Sequence, residues 1–387
     1  MGPLEPDSQP LSNAVPHCDT GGSGGVVFPQ MDAALVGLPS SGKTTVFHAL
    51  TAGHGSATGA EQIGVIKIPD QRLEKLAALV KAKKITPIEV TLHDVPTIFE
   101  RGAAPSGPTA ETLSRADAFI HVVRAFERDD VPYPKGSVDP ARDIQAFDEE
   151  LAFNDLAIVE RRLEKLDITV RSARPAEREA GEREKMLLER CRAILNEGSR
   201  LRDANLENAD LKALGNFGLL SLKPMLIALN IGEIDAPRAF ALEGEYTSRF
   251  AAPGTGVASL SARLEAELAE LPPDEAADFR REMGAGETAT HAVLGKLLQL
   301  LDLVTFFTIG EKDAHAWTVP AGASALQGAG RIHTDIERGF IRAEVIAWDK
   351  LVEFGSHAEA RRHGQLRTEG KQYTIREGDV INVLFNV

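Results

Sequence analysis

Apolar residues recur along this chain with two different periods. Continuous short runs appear at "AALVGL" (33–38), "IEVTLHD" (88–94), "AFIHVVRAF" (118–126) and "KPMLIALN" (223–230). Each is long enough for a strand and apolar enough to be covered on both faces, and helical stretches separate them. That alternation predicts an α/β core, with a parallel sheet and helices on both sides. Between the third and fourth runs the period changes. Ala152, Leu156, Val159, Leu163, Leu166 and Val170 alternate steps of four and three, and Leu187, Cys191 and Ile194 resume the seam after "RSARPAE". This predicts an antiparallel helical hairpin inserted into the core, with ordinary covering helices as the alternative.

The chain ends in a third pattern. "AWTVP", "RAEVIAW" and "INVLFNV" read as strands, "WDKLVEFGSHAEARRHG" as a helix with its following glycine, and "REGD" as a tight turn before the last strand. A small α+β module follows the helical "HAVLGKLLQLLDLV". The first thirty residues, rich in Gly, Pro and Ser, show no sustained period and cannot offset their ordering entropy by burial. The predicted layout is a disordered tail at 1–30, a core domain at 31–135 and 215–303, a helical insertion at 136–214 and a C-terminal module at 304–387. Met31, just before the first strand, is a second candidate for the start of translation.

The chemistry begins after the first strand. In "GLPSSGKTT", Gly37, Gly42, Lys43 and Thr44 have the full spacing of a P-loop between a strand and a helix. The glycines let successive amides converge on phosphate oxygens, and the helix that follows adds its positive end. Lys43 would reach the β and γ phosphates, and the Thr44 hydroxyl would enter the shell of a Mg²⁺ ion. Asp94, closing "IEVTLHD", is the candidate carboxylate on the metal side, or else a loop aspartate capping the next segment. After "MLIAL" comes "NIGE", Asn230 to Glu233. Guanine-specific relatives of this fold have Asn-Lys-x-Asp here, and the extra methylene of Glu233 displaces a carboxylate that must accept two hydrogen bonds. Adenine is therefore the expected base, with GTP the weaker ligand.

Composition narrows the setting. The 387 residues carry 57 acidic and 43 basic side chains, a net charge of −14 that opposes indiscriminate binding to a polyphosphate backbone, so free DNA is not an expected partner. Cys18 and Cys191 have no metal-ligand spacing and form no disulfide framework. No apolar run is long enough to span a bilayer and no signal peptide opens the chain, so a cytoplasmic, membrane-free protein is expected.

"GLPSSGKTTVFHALT", "IPDQRLEKL", "VDPARDIQAFDEEL", "NIGE", "TFFTIGEKDAHAWTV", "GRIHTDIERGFIRAEVI" and "EGKQYTIREGDVINVLFNV" run in order from about Met31 to Val387 and together resemble the Obg-like ATPase family, YchF. The resemblance implies a P-loop NTPase with a translation-factor-type G domain, an inserted helical coiled coil and a C-terminal TGS domain of β-grasp form. It also implies a slow, ATP-preferring hydrolase associated with ribosomes. Residue by residue, it implies phosphate contacts along Ser40, Ser41, Gly42, Lys43, Thr44 and Thr45. Thr44 and Asp94 would serve Mg²⁺, with Thr58 as the first-switch threonine. Asn230, Glu233, Ser261 and Ala262 would surround the base.

The sequence also departs from that pattern. Ser40 replaces an asparagine associated with monovalent-cation use. Thr97, preceded by Pro96, stands where the second switch has glycine, and Ile98 follows where a water-orienting glutamine could stand. These changes motivate a second reading, a nucleotide-sensing module with impaired catalysis. A small-molecule kinase is disfavoured, since no acceptor lid is apparent. His54 and His93 are read as bystanders. Arg331, Arg338 and Arg342 of the C-terminal module, and Arg161, Arg162 and Lys165 of the hairpin, are candidate ribosome contacts or else solvated side chains.

Overall fold

The computed structural model describes residues 31–58, 61–96, 98, 104–133, 135–172, 174–286 and 288–386. The tail at 1–30 and Thr97 lie outside the described residues, and so does the side chain of Thr58.

Two sheets organise the described chain. The first contains β1 (Met31–Val36), β2 (Ser56–Thr58), β3 (Glu61–Ile68), β5 (Ile88–Asp94), β6 (Ala118–Ala125), β7 (Met225–Ile231) and β8 (Thr255–Leu260), in the order β2-β3-β5-β1-β6-β7-β8. Strands β5, β1, β6, β7 and β8 are parallel, and their apolar runs are covered on both faces. The edge differs from the all-parallel expectation. β3 runs antiparallel to β5, and β2 antiparallel to β3. The second sheet, in the order β12-β11-β13-β9-β10-β4, is built from β9 (Leu303–Ile309), β10 (Ala314–Pro320), β11 (Phe340–Ala347), β12 (Arg367–Glu369) and β13 (Asp379–Phe385), with the two residues of β4 (Ile85–Thr86) added at its edge.

That edge strand arises from the segment between β3 and β5. Helix α1 (Lys43–Thr51) follows the glycine loop, and α2 (Gln71–Val80) follows β3. The Asp70 side chain accepts from the Arg72 amide and starts α2, while Lys81 in a left-handed conformation ends it. Leu73, Leu76 and Ala77 of α2 share one core with Phe307, Ala316, Ile346 and Leu351 from the C-terminal module. Arg72 then reaches Glu377 at 2.6 Å. The module is thus packed against the same helix that links β3 to the strand carrying Asp94.

Helix α3 (Gly107–Arg115) precedes β6, and α4 (Pro140–Ser172) and α5 (Pro175–Asn196) follow it. The two readings of these long helices each hold for part of α4. Phe147 and Leu151 near its start pack with Ala34, Val36 and Phe119 of the sheet, so the first turns are a covering helix. Beyond them Val159, Leu163 and Leu166 face Leu188, Cys191 and Leu195 of α5 in a separate apolar cluster. The deepest residues of α5 stand one position on from Leu187 and Ile194, which are only partly buried. Asp155, buried on α4, accepts from the amides of Leu220 at 2.8 Å and Ser221 at 2.7 Å, and so anchors the return to β7.

The last helical segment is also divided. Gly355 adopts φ 73, closing one helix at Phe354, and the Ser356 hydroxyl caps a second at His357–Arg362. Among the described residues no helix is long and apolar enough to cross a membrane.

Candidate functional site

The loop between β1 and α1 is shaped by close backbone approach. Gly42, the residue before α1, adopts φ 85, and a Cβ there would lie 2.3 Å from Asn230 Nδ2. A Cβ on Gly37 would lie 2.5 Å from the Val122 carbonyl oxygen. Only glycine meets both demands at Gly42, so the spacing read in the sequence has a steric cause. Helix α1 therefore starts without a side-chain cap, its first amides turned toward the loop.

Three side chains converge at the head of α1. Lys43 Nζ lies 2.5 Å from Asp94 Oδ1 and also donates to the Val95 carbonyl. The Thr44 hydroxyl donates to Asp94 Oδ2 at 2.8 Å. One buried carboxylate at the end of β5 thus holds both the lysine and the hydroxyl, an arrangement that puts hard oxygen donors beside an ammonium group. Ser40, Thr44 and Thr45 are exposed along this loop, whereas Ser41 is buried.

Asn230, at the end of β7, ties the phosphate side to the opposite loop. Its Nδ2 donates to the Ser41 carbonyl at 3.0 Å, and its Oδ1 accepts from the Ala262 amide at 3.1 Å. Both bonds are buried, so Ser41, Asn230, Ser261 and Ala262 form one wall. Glu233 stands beside that wall: its Oε1 is buried, accepts no hydrogen bond, and lies 2.7 Å from Arg263 Nε on helix α8 (Ala262–Leu268). Ser261 Oγ is buried without a hydrogen-bond partner.

Arg263 and the segment after β6 were not singled out from the sequence. Arg124 is fully buried and donates to the carbonyls of Phe126 at 3.1 Å and Val131 at 2.9 Å, with its guanidinium over the Phe126 and Tyr133 rings. This fixes Phe126 beside both Gly42 and Gly232. An arginine inside the apolar run "HVVRAF" was the available signal, because a buried charge requires a dedicated set of acceptors.

The two histidines read as bystanders separate in the structure. His54 is exposed. His93, next to Asp94 in β5, hydrogen-bonds through Nδ1 to Glu61 at 2.7 Å, with Asp32 at 4.0 Å from Nε2. The carboxylates of Asp32 and Glu61 hold its imidazole above the ordinary range. Thr112 of α3 donates to the same Glu61 at 3.2 Å. His93 therefore joins β3, β5 and α3 on the side of the sheet away from the glycine loop. Ile98 is buried with Val36, Val95 and Leu113 in the core, so that side chain is unavailable to orient a water molecule.

A family model, YchF-GTPase_C, described as a protein of unknown function, matches residues 303–386. The chain is 35% identical over 370 residues to the ribosome-binding ATPase YchF of Pasteurella multocida, covering 91% of this chain and 98% of that protein. Against the ribosome-binding ATPase YchF of Bacillus subtilis it is 34% identical over 368 residues, covering 92% and 100%. Among solved structures, the Schizosaccharomyces pombe YchF GTPase matches with a TM-score of 0.78 at 26% identity, over 93% of this chain and 99% of that one. The similarity runs along nearly the whole length of these relatives, and the chain belongs to the YchF family of Obg-like ATPases.

Proposed function

We propose that the protein is an ATP-binding, slowly ATP-hydrolysing P-loop switch that works on the ribosome in the cytoplasm. The observation that carries this reading is the joint hold of Asp94 on Lys43 and Thr44 at the head of α1, braced to the base side by Asn230. On phosphate binding Lys43 would exchange the Asp94 carboxylate for phosphate oxygens. Thr44 and Asp94, with Thr58, would hold Mg²⁺, which neutralises charge on the transferring phosphoryl group. Main-chain amides from Ser40 to Thr45 would cradle the phosphates, and Asn230, Glu233, Ser261 and Ala262 would surround adenine. The C-terminal sheet, read as a TGS domain, and the helical pair would dock on the ribosome. Its bacterial relatives, ribosome-binding ATPases by name, support this assignment.

A second reading, a nucleotide sensor with impaired catalysis, is favoured by the burial of Ile98 beside the switch position. The two are separated by phosphate release from ATP, with and without ribosomes, for the wild type and Lys43→Ala. Wild-type turnover at least about a hundredfold above the variant supports a hydrolase. Tight ATP binding with turnover no faster than that of Lys43→Ala supports the sensor. Failure of the wild type to bind ATP would end both readings.

A further inference from the structure

The base side of the site contains an ion pair that the sequence pattern does not announce. Glu233 occupies the position where a carboxylate reads guanine, and in this chain that carboxylate faces a guanidinium. Arg263 Nε lies 2.7 Å from Glu233 Oε1 as an ion pair, and its hydrogen bond goes to Glu267 Oε1 at 3.1 Å, one turn further along α8. The arginine is thus held between two carboxylates. Its backbone is fixed as well, because the neighbouring Ala262 amide donates to the buried Asn230. Ser261 Oγ, which opens the same loop, is buried and has no hydrogen-bond partner, so the Glu233 carboxylate has not swung inward to it. The Arg263 contact thus sets where the Glu233 carboxylate stands, with Oε1 buried against the guanidinium and accepting no hydrogen bond.

We propose that Arg263 is the specificity-determining residue for the purine, acting by engaging the Glu233 carboxylate. The proposal rests on the reading that the base lies along the Asn230–Glu233 and Ser261–Ala262 loops. Guanine presents two donors on its edge, N1–H and the 2-amino group, and both need acceptors when buried. A carboxylate paired to a guanidinium is a poor acceptor for them, and the unpaired donors count against guanine. Adenine presents an acceptor at N1 and a donor at N6, and loses less beside such a pair. The length of the Glu233 side chain contributes reach, while Arg263 decides where that reach is spent.

The test is calorimetric titration of the full chain with ATP and with GTP, in the presence of Mg²⁺. Four proteins are compared: wild type, Arg263→Ala, Glu233→Gln and the double variant. Arg263→Ala should strengthen GTP binding and narrow the ATP-to-GTP affinity ratio by about threefold to tenfold. In the Glu233→Gln background the same change should leave the ratio where it was, since no carboxylate remains to be released. Inosine triphosphate, which lacks the 2-amino group, should gain less than GTP. An unchanged ratio in Arg263→Ala, with ATP still bound, would overturn the role of Arg263 alone, as would an equal shift with and without the carboxylate. Absence of binding by the wild type to either nucleotide would instead remove the base-site reading and this proposal together.

Discussion

At the phosphate end, Lys43 and Asp94 meet with side chains 12% and 5% exposed; at the base end, Glu233 and Arg263 meet at a similar distance with 33% and 55% exposed. The two ion pairs are alike in distance and differ in energy, since the first is hydrogen-bonded and Glu233 Oε1 accepts no hydrogen bond. Water screens the outer pair, so its worth lies at the low end for surface pairs, while the inner pair is shielded and further fixed by Thr44 and the Val95 carbonyl. The phosphate end is also defined by backbone approach that tolerates no side chain, which the base end is not. On the proposed reading, a site built this way would hold its phosphate chemistry constant and leave base preference adjustable by single substitutions near Arg263.

The largest effect should follow from violating the backbone constraint. Gly42→Ala places a methyl group where the Asn230 amide stands and forces an L-residue to φ 85. Strain of about 1–3 kcal/mol, with displacement of the loop amides, should weaken ATP binding by roughly 10- to 100-fold. Titration of the purified variant, with its melting curve as a control on folding, checks this. Retention of wild-type affinity would show that the loop relaxes freely and that the two ends are not built differently.

A smaller loss is expected from Asn230→Ala, because it leaves the fold of each loop in place and cuts only the brace between them. The Ser41 carbonyl and the Ala262 amide would both lose a buried partner, at about 1–3 kcal/mol each when no water replaces it. ATP and GTP should weaken together, roughly tenfold or more, with no change in their ratio. A shift in the ratio would mean that Asn230 reads the base directly and that the division between ends falls elsewhere.

Much of this site was legible in the sequence, and the reason is local. Gly37, Gly42, Lys43 and Thr44 stand within one loop, so their spacing alone announces the glycine turn at the head of α1, and Asp94 could be placed beside it because it closes an apolar run. The helical pair was legible for the same reason, since a seam at Val159, Leu163 and Leu166 is a local period. What was missed depends on distance along the chain. Asn230 reaches Ser41 across 189 positions, and nothing in either segment announces the other. Ile85–Thr86 is too short to register as a strand, yet it extends the C-terminal sheet across β10. Ile98 reads as a switch residue by position and is a core residue by packing. The break at Gly355 was hidden because the stretches on either side of it, 348–354 and 357–362, both consist mostly of residues that a helix accepts.

The smallest effect separates a specific contact from a general field at the base end. Arg128 pairs with Asp130 on the surface, and Glu233 also helps to hold the Arg128 guanidinium in its charged form. Arg128→Ala removes the same unit charge from the same rim without removing the partner that holds the Glu233 carboxylate. If purine preference is set by that contact, the ATP-to-GTP affinity ratio of Arg128→Ala should stay within about twofold of wild type. Any residual difference should fade on raising ionic strength to about 0.5 M, where a charge beyond a few ångströms is screened. A ratio that moves as far as in Arg263→Ala, and collapses with added salt, would show that the rim acts through its summed charge. The base end would then be tuned by any of its exposed ions, and the contrast with the phosphate end would be sharper still.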